Sequence, residues 1–113
     1  MVRNLGGNMN QMMKAAQKMQ KDMLAAQEAL KERFVEGEAG GGMVKVIVNG
    51  QKEVIKIVIA ADFVLKEMED EADVRTLEEL VIAAIRNGTE KARKLAEESM
   101  GQVTGGLNLP GLF

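Results

Sequence analysis

Apolar side chains at Met9, Met12, Ala16, Met19, Met23, Ala26 and Leu30 recur at alternating steps of three and four. This is an apolar seam of heptad spacing, and it predicts a long helix. Residues 9–33 contain no Pro, Gly or β-branched residue, so intrinsic propensity agrees with the pattern, and Gly37 follows soon after its end. At about 1.5 Å per residue such a helix extends ~37 Å, longer than the ~27 Å across a compact domain of this size. The helix is therefore expected to project beyond its own core.

The pattern then shortens to the period of strands. Phe34 to Ala39, Met43 to Val48 and Glu53 to Ile59 read as three strands, the first two joined by Gly40-Gly41-Gly42. Asn49-Gly50 is the strongest short-range hairpin signal, since a type I′ turn needs positive φ at both central residues. A two-residue turn there sets Val48 opposite Gln51 and Val44 opposite Ile55, gathering Val44, Val46, Ile55, Ile57 and Ile59 on one apolar face; a three-residue turn shifts the register by one.

Asp62 to Met68 suggests a short helix, followed by the acidic run Glu67, Glu69, Asp70, Glu71, Asp73. A second long helix is expected to open at Thr76, whose spacing to Glu79 fits a capping box, and to run to about Met100 before Gly101. Its first half, Leu77 to Ile85, is apolar nearly all round and calls for more than one covering surface. Its second half carries Arg86, Glu90, Lys91, Arg93, Lys94, Glu97 and Glu98 and emerges into water. The fold class is thus α+β, a helix, a three-stranded antiparallel meander and a helix in one domain spanning residues 1–113. Residues 1–8 and the Gly-rich apolar tail 101–113 are expected to be flexible. One copy cannot bury this much apolar surface, so a homodimer with Leu77, Val81, Ile82 and Ile85 at its interface is the economical solution.

Composition narrows the chemistry. With Cys 0 and His 0 the chain lacks a thiolate, a disulfide, an imidazole base and the usual transition-metal ligands, which argues against an enzyme, a metal site or a cofactor. Trp 0, Tyr 0 and Phe 3 leave too few aromatic platforms to read single-stranded bases by stacking. Gly40-Gly41-Gly42 is followed by neither Gly-Lys-Ser/Thr nor a helix, so it is a turn and no phosphate loop. The acidic run lacks the alternating ligand loop of a calcium site and reads as a solvated loop. The longest wholly apolar run, Leu80 to Ile85, is far shorter than the ~20 residues of a membrane span, and the polar start Asn4, Gly6, Gly7, Asn8 is unlike a secretory signal. The expected location is cytoplasmic, with no membrane partner and no small-molecule substrate.

The net charge of −2 gives no reason by itself to expect nucleic acid, but its distribution does. Residues 1–27 carry Arg3, Lys14, Lys18 and Lys21 against Asp22 alone, whereas residues 36–71 hold four Lys against eight Asp and Glu. Lys14, Lys18 and Lys21 lie at i, i+4 and i+7, on a stripe roughly opposite the Met seam. Arg86, Lys91, Arg93 and Lys94 form a second basic cluster, interleaved with acids that could tie it up in intrahelical pairs.

Three stretches, taken in order and spacing, resemble the YbaB/EbfC nucleoid-associated proteins: Met12-Met13-Lys14-Ala15-Ala16-Gln17-Lys18-Met19-Gln20, then Gly42-Met43-Val44-Lys45-Val46 running into Asn49-Gly50, then Leu77-Glu78-Glu79-Leu80-Val81-Ile82-Ala83-Ala84. The tail Gly105-Gly106-Leu107-Asn108-Leu109-Pro110-Gly111-Leu112-Phe113 fits as well. The resemblance implies a bacterial, intertwined homodimer with projecting helices that binds double-stranded DNA with little sequence preference and helps organise the nucleoid. Two positions depart from the family pattern. Arg86-Asn87-Gly88 replaces the usual Asn, acidic residue and Ala, which is expected to loosen the second helix at Gly88, and Ala60-Ala61-Asp62 stands where Asp-Pro is usual.

Two functional classes follow. One is an architectural DNA-binding dimer that uses Lys14, Lys18, Lys21, Arg86, Lys91, Arg93 and Lys94 on phosphates. The other is a non-enzymatic protein-interaction or chaperone-like dimer that uses the Met seam and the apolar tail, since thioethers repack easily around varied partners.

Overall fold

The computed structural model describes residues 2–105, with side chains from Asn8 onward. Helix α1 (Val2–Ala29) passes through a 3-10 turn (Leu30–Glu32) into strands β1 (Phe34–Ala39), β2 (Val44–Asn49) and β3 (Val54–Ile59). A single π-helical turn (Phe63–Glu67) then leads to helix α2 (Glu71–Thr104). The strands form one antiparallel sheet in the order β1-β2-β3, so the helix, meander, helix order of the sequence is the fold.

The core lies where α2 crosses β1 and β2. Val44, Val46 and Val48 project from one face of β2 and are fully buried with Ala84 and Ala92 of α2. Val35, Ala39, Leu77, Leu80, Val81 and Ile85 close around them. Each buried Val contributes about 1.5–3 kcal/mol of burial free energy. The buried residues of α2 recur at every fourth position, Ala84, Gly88, Ala92, Ala96, Met100 and Thr104. The small side chains among them, Ala84, Gly88 and Ala92, bring the helix close to the sheet. Beyond the sheet, α2 packs along α1, whose Met19, Met23, Ala26 and Gln27 are half-buried. The molecule measures 80 × 21 × 17 Å with a radius of gyration of 21.6 Å, against about 13 Å for a compact chain of this length.

Both long helices exceed their expected limits. Residues 2–8 belong to α1, because Gly6 and Gly7 each cost a helix only about 1 kcal/mol and no Pro stands there to stop it. Residues 101–104 continue α2, and Gly105 ends it in the left-handed conformation at φ 66°. The rest of the tail, 106–113, lies outside the described residues. Helix α2 opens at Asp70, not Thr76: the Asp70 and Asp73 carboxylates each accept the other's backbone N–H, a reciprocal cap that starts the helix six residues earlier. Thr76 Oγ1, inside the helix, donates to the Ala72 carbonyl at 3.0 Å. The helix also continues unbroken through Gly88.

The second hairpin differs from the two-residue turn. Val44 pairs with Ile59 and Val46 with Ile57, and a bulge between Ile47 and Val48 leaves Val48 opposite Val54. Asn49 is buried, with its Oδ1 accepting from the N–H groups of Gln51 and Glu53 and its Nδ2 donating to Glu53 Oε1. Gly50 has no positive φ; Lys52 does, at 66°. Gly50 instead lets the backbone approach α1's end: its N–H donates to the Leu30 and Arg33 carbonyls, and a Cβ there would lie 2.7 Å from Leu30 Cδ2. The Val44–Ile55 pairing is thus off by four residues, an even number, so Val44, Val46, Ile57 and Ile59 still share a face.

Candidate nucleic-acid interface

The seam of α1 is covered only along its second half. Met19, Met23 and Ala26 are half-buried and Leu30 is buried, while Met9, Met12 and Met13 remain 59–70% exposed. The N-terminal part of α1 therefore stands clear of the core, as its length predicts. Lys14 lies on it, and Lys18 and Lys21 follow on the outward face of the half that packs on α2, all three exposed and none in an ion pair among the described residues. A helix face with three free ammonium groups spaced over two turns tracks phosphates at little desolvation cost.

The α2 cluster is arranged differently. Arg93 is held between Glu90 and Glu97, at 2.7 and 2.9 Å. The hydrogen bond from Arg93 holds the Glu90 carboxyl below its ordinary range, and the same bond raises the guanidinium. Lys91, though exposed, donates through Nζ to the Glu36 carbonyl on β1 at 2.9 Å. Arg86 and Lys94 are exposed and make no ion pair among the described residues. Four cations adjacent in sequence thus divide into two that are engaged within the protein and two that are free.

Leu77, Val81 and Ile85 pack against the core as half-buried residues, and Ile82 is turned outward at 49% exposure. The larger uncovered apolar surface is one the periodicity did not single out. All six residues of β3 are exposed, Val54, Ile55, Ile57, Val58 and Ile59 between 36% and 54%. Helix α2 lies over β1 and β2 and barely reaches β3. β3 is also the outer strand, and no side chain among the described residues bonds to its backbone. The signal in the sequence was the near-absence of polar alternation: Val54-Ile55-Lys56-Ile57-Val58-Ile59 has apolar residues on both faces, the pattern of a strand with neighbours on all sides.

Residues 6–107 match the YbaB/EbfC DNA-binding family. The chain belongs to that family. It is 56% identical over 105 residues to a nucleoid-associated protein of Exiguobacterium sp. strain AT1b, covering 93% of this chain and 95% of the relative. It is 49% identical over 111 residues to one from Alkaliphilus metalliredigens, covering 96% and 93%. The crystal structure of an uncharacterized Helicobacter pylori protein shares the fold, with TM-score 0.69 and 20% identity over 85% of this chain and 96% of that one. Among the described residues no helix is long and apolar enough to cross a membrane.

Proposed function

We propose that this YbaB/EbfC protein binds duplex DNA as a homodimer, chiefly through phosphates, and contributes to nucleoid organisation and gene regulation. The observation that carries this reading is the set Lys14, Lys18 and Lys21, exposed and without an ion pair on the outward face of α1. Phosphate contacts of this kind give affinity with weak sequence dependence. Arg86 and Lys94 are secondary contacts in this reading. Lys91 and Arg93 contribute less, because binding would first have to release Lys91 from Glu36 and Arg93 from its two carboxylates.

The dimer is carried by β3. Antiparallel pairing of β3 with the same strand of a second copy, about a two-fold axis, satisfies the open edge and covers its apolar side chains at once. Such a dimer holds a continuous six-stranded sheet and carries two basic arms. A gel-shift titration of unrelated duplexes at two salt concentrations tests the reading: comparable affinities that fall together as salt rises are expected. Salt-independent binding, or none, would sink it. The exposed Met9, Met12 and Met13 favour a second reading, in which the arm grips an apolar protein segment. In that case replacing the three Met would abolish partner binding while replacing the three Lys would not.

A further inference from the structure

The fold treats the two edges of its sheet in opposite ways. β3 offers its outer backbone to any incoming strand. β1 is also an outer strand, yet two of its outward backbone groups are already taken. The Glu38 N–H donates to Asn87 Oδ1 at 3.1 Å, and the Glu36 carbonyl accepts from Lys91 Nζ at 2.9 Å. Asn87 and Lys91 stand one turn apart on α2, so a single helix face supplies an acceptor and a donor. These match the donor and acceptor that β1 turns outward two residues apart. The close seat of α2 on this strand places them there: at Gly37, between the two bonded residues, a Cβ would overlap the backbone of Gly88 and Ala84. Glu36 and Glu38 add two exposed carboxylates to the same edge, with Lys45 of β2 pairing Glu36 at 3.6 Å, so that one net negative charge remains for a second copy of β1 to meet.

We propose that Asn87 and Lys91 lock the outer edge of β1, so that strand addition between copies of this chain is confined to β3 and stops at two. The inference rests on the β3-paired dimer proposed above. A chain with two open sheet edges has no reason to stop there. Each dimer made through β3 would expose two free β1 edges, and alternating β3 and β1 contacts would extend the sheet without closing. With the lock in place, the six-stranded sheet ends in an occupied strand on both sides. Lys91 and Asn87 are then assembly-limiting residues.

The test removes the two polar side-chain groups that bond to β1. Sedimentation velocity of Asn87→Ala/Lys91→Met, over about a hundredfold concentration range, should show species larger than the wild type that grow with concentration. Asn87→Asp/Lys91→Arg retains an acceptor and a donor and should sediment as the wild type. Adding Ile57→Lys, a charge on β3, to the Ala/Met variant should arrest growth at a pair joined through β1. A folded Ala/Met variant that sediments as the wild type throughout overturns the lock. If the wild type itself is a monomer that Ile57→Lys does not change, the β3 dimer fails. The lock is then supported by an Ala/Met variant that gains a dimer and overturned by one that stays monomeric. Should that variant not fold, amide exchange of Asn87→Ala alone decides: the Glu38 N–H should exchange about tenfold faster than in the wild type, and equal rates refute the lock.

Discussion

Gly37 of β1 and Gly88 of α2 meet backbone to backbone. A Cβ at Gly37 would fall on the Gly88 nitrogen and the Ala84 carbonyl oxygen, and one at Gly88 would lie 2.7 Å from Val48 Cγ2. Strand and helix are seated on each other at this contact. Its closeness buries Val46 and Val48 under the Ala84, Gly88, Ala92 stripe and brings Asn87 and Lys91 within reach of the β1 edge.

Gly37→Ala should accordingly cost more than Gly88→Ala. At Gly37 the obstacle is backbone on both sides, which yields only if α2 lifts off the sheet, so a loss at or above the ~1–3 kcal/mol of ordinary overpacking is expected. At Gly88 the obstacle is a Val methyl group, and the new Ala recovers about 1 kcal/mol of helix propensity. Chemical denaturation of the two variants checks the order; equal midpoints would mean that the contact is looser than its geometry.

The start of α2 separates two capping schemes. Asp70→Ala removes the carboxylate that accepts the Asp73 N–H and should cost about 1 kcal/mol, whereas Thr76→Ala removes only a bond to a carbonyl inside the helix and should cost less than ~0.5 kcal/mol. Thermal melts of the two variants measure the difference, and a larger loss for Thr76→Ala would move the functional start of the helix to residue 76.

What could be read from the sequence was whatever depends on periodicity over many residues. The seam from Met9 to Leu30 and the apolar run from Leu77 to Ile85 fixed two helices, and three short runs between Gly and Asn marks fixed the meander. Choices among chemically similar local signals were not readable. Thr76 with Glu79 and Asp70 with Asp73 both offer a capping box, and the structure forms the second. Asn49-Gly50 signals a tight turn, but Leu30 presses against Gly50, and Asn49 spends its amide on Gln51 and Glu53 instead. The basic stripe of α1 was visible because its spacing is helical. The tie from Lys91 to Glu36 spans 55 residues and leaves no local trace.

Val81 and Ile82 are adjacent in sequence but face different surroundings, which separates folding from association. Val81 packs on the core, so Val81→Asp buries an unpaired charge and should unfold the chain at a cost of several kcal/mol. Ile82 is outward, so Ile82→Asp should leave the melting temperature of the single chain nearly intact and weaken the dimer only if the interface extends from β3 onto α2. Sedimentation and circular dichroism on the same samples distinguish these outcomes. Wild-type melting of Val81→Asp would show that this face of α2 is not core.

The salt dependence of DNA binding identifies the footprint. With Lys14, Lys18 and Lys21 on both arms of a dimer, six phosphates are neutralised, and log K should fall against log salt with a slope near −5, about −0.9 per contact. Replacing the three Lys by Ala should flatten that slope and weaken binding to unrelated duplexes by similar factors, whereas an altered ranking of sequences would point to base contacts. Lys91, Arg93 and Lys94 replaced together are the matched comparison. Because Arg93 is paired with Glu90 and Glu97 and Lys91 with Glu36, that variant should lose at most the contribution of Lys94. Glu97 and Glu98 changed to Gln should leave affinity unchanged or raise it, since both remove negative charge near any approaching phosphate. If instead the α1 variant keeps its slope and the α2 variant loses it, the interface lies on α2, and the unpaired stripe on α1 is an ordinary solvated face.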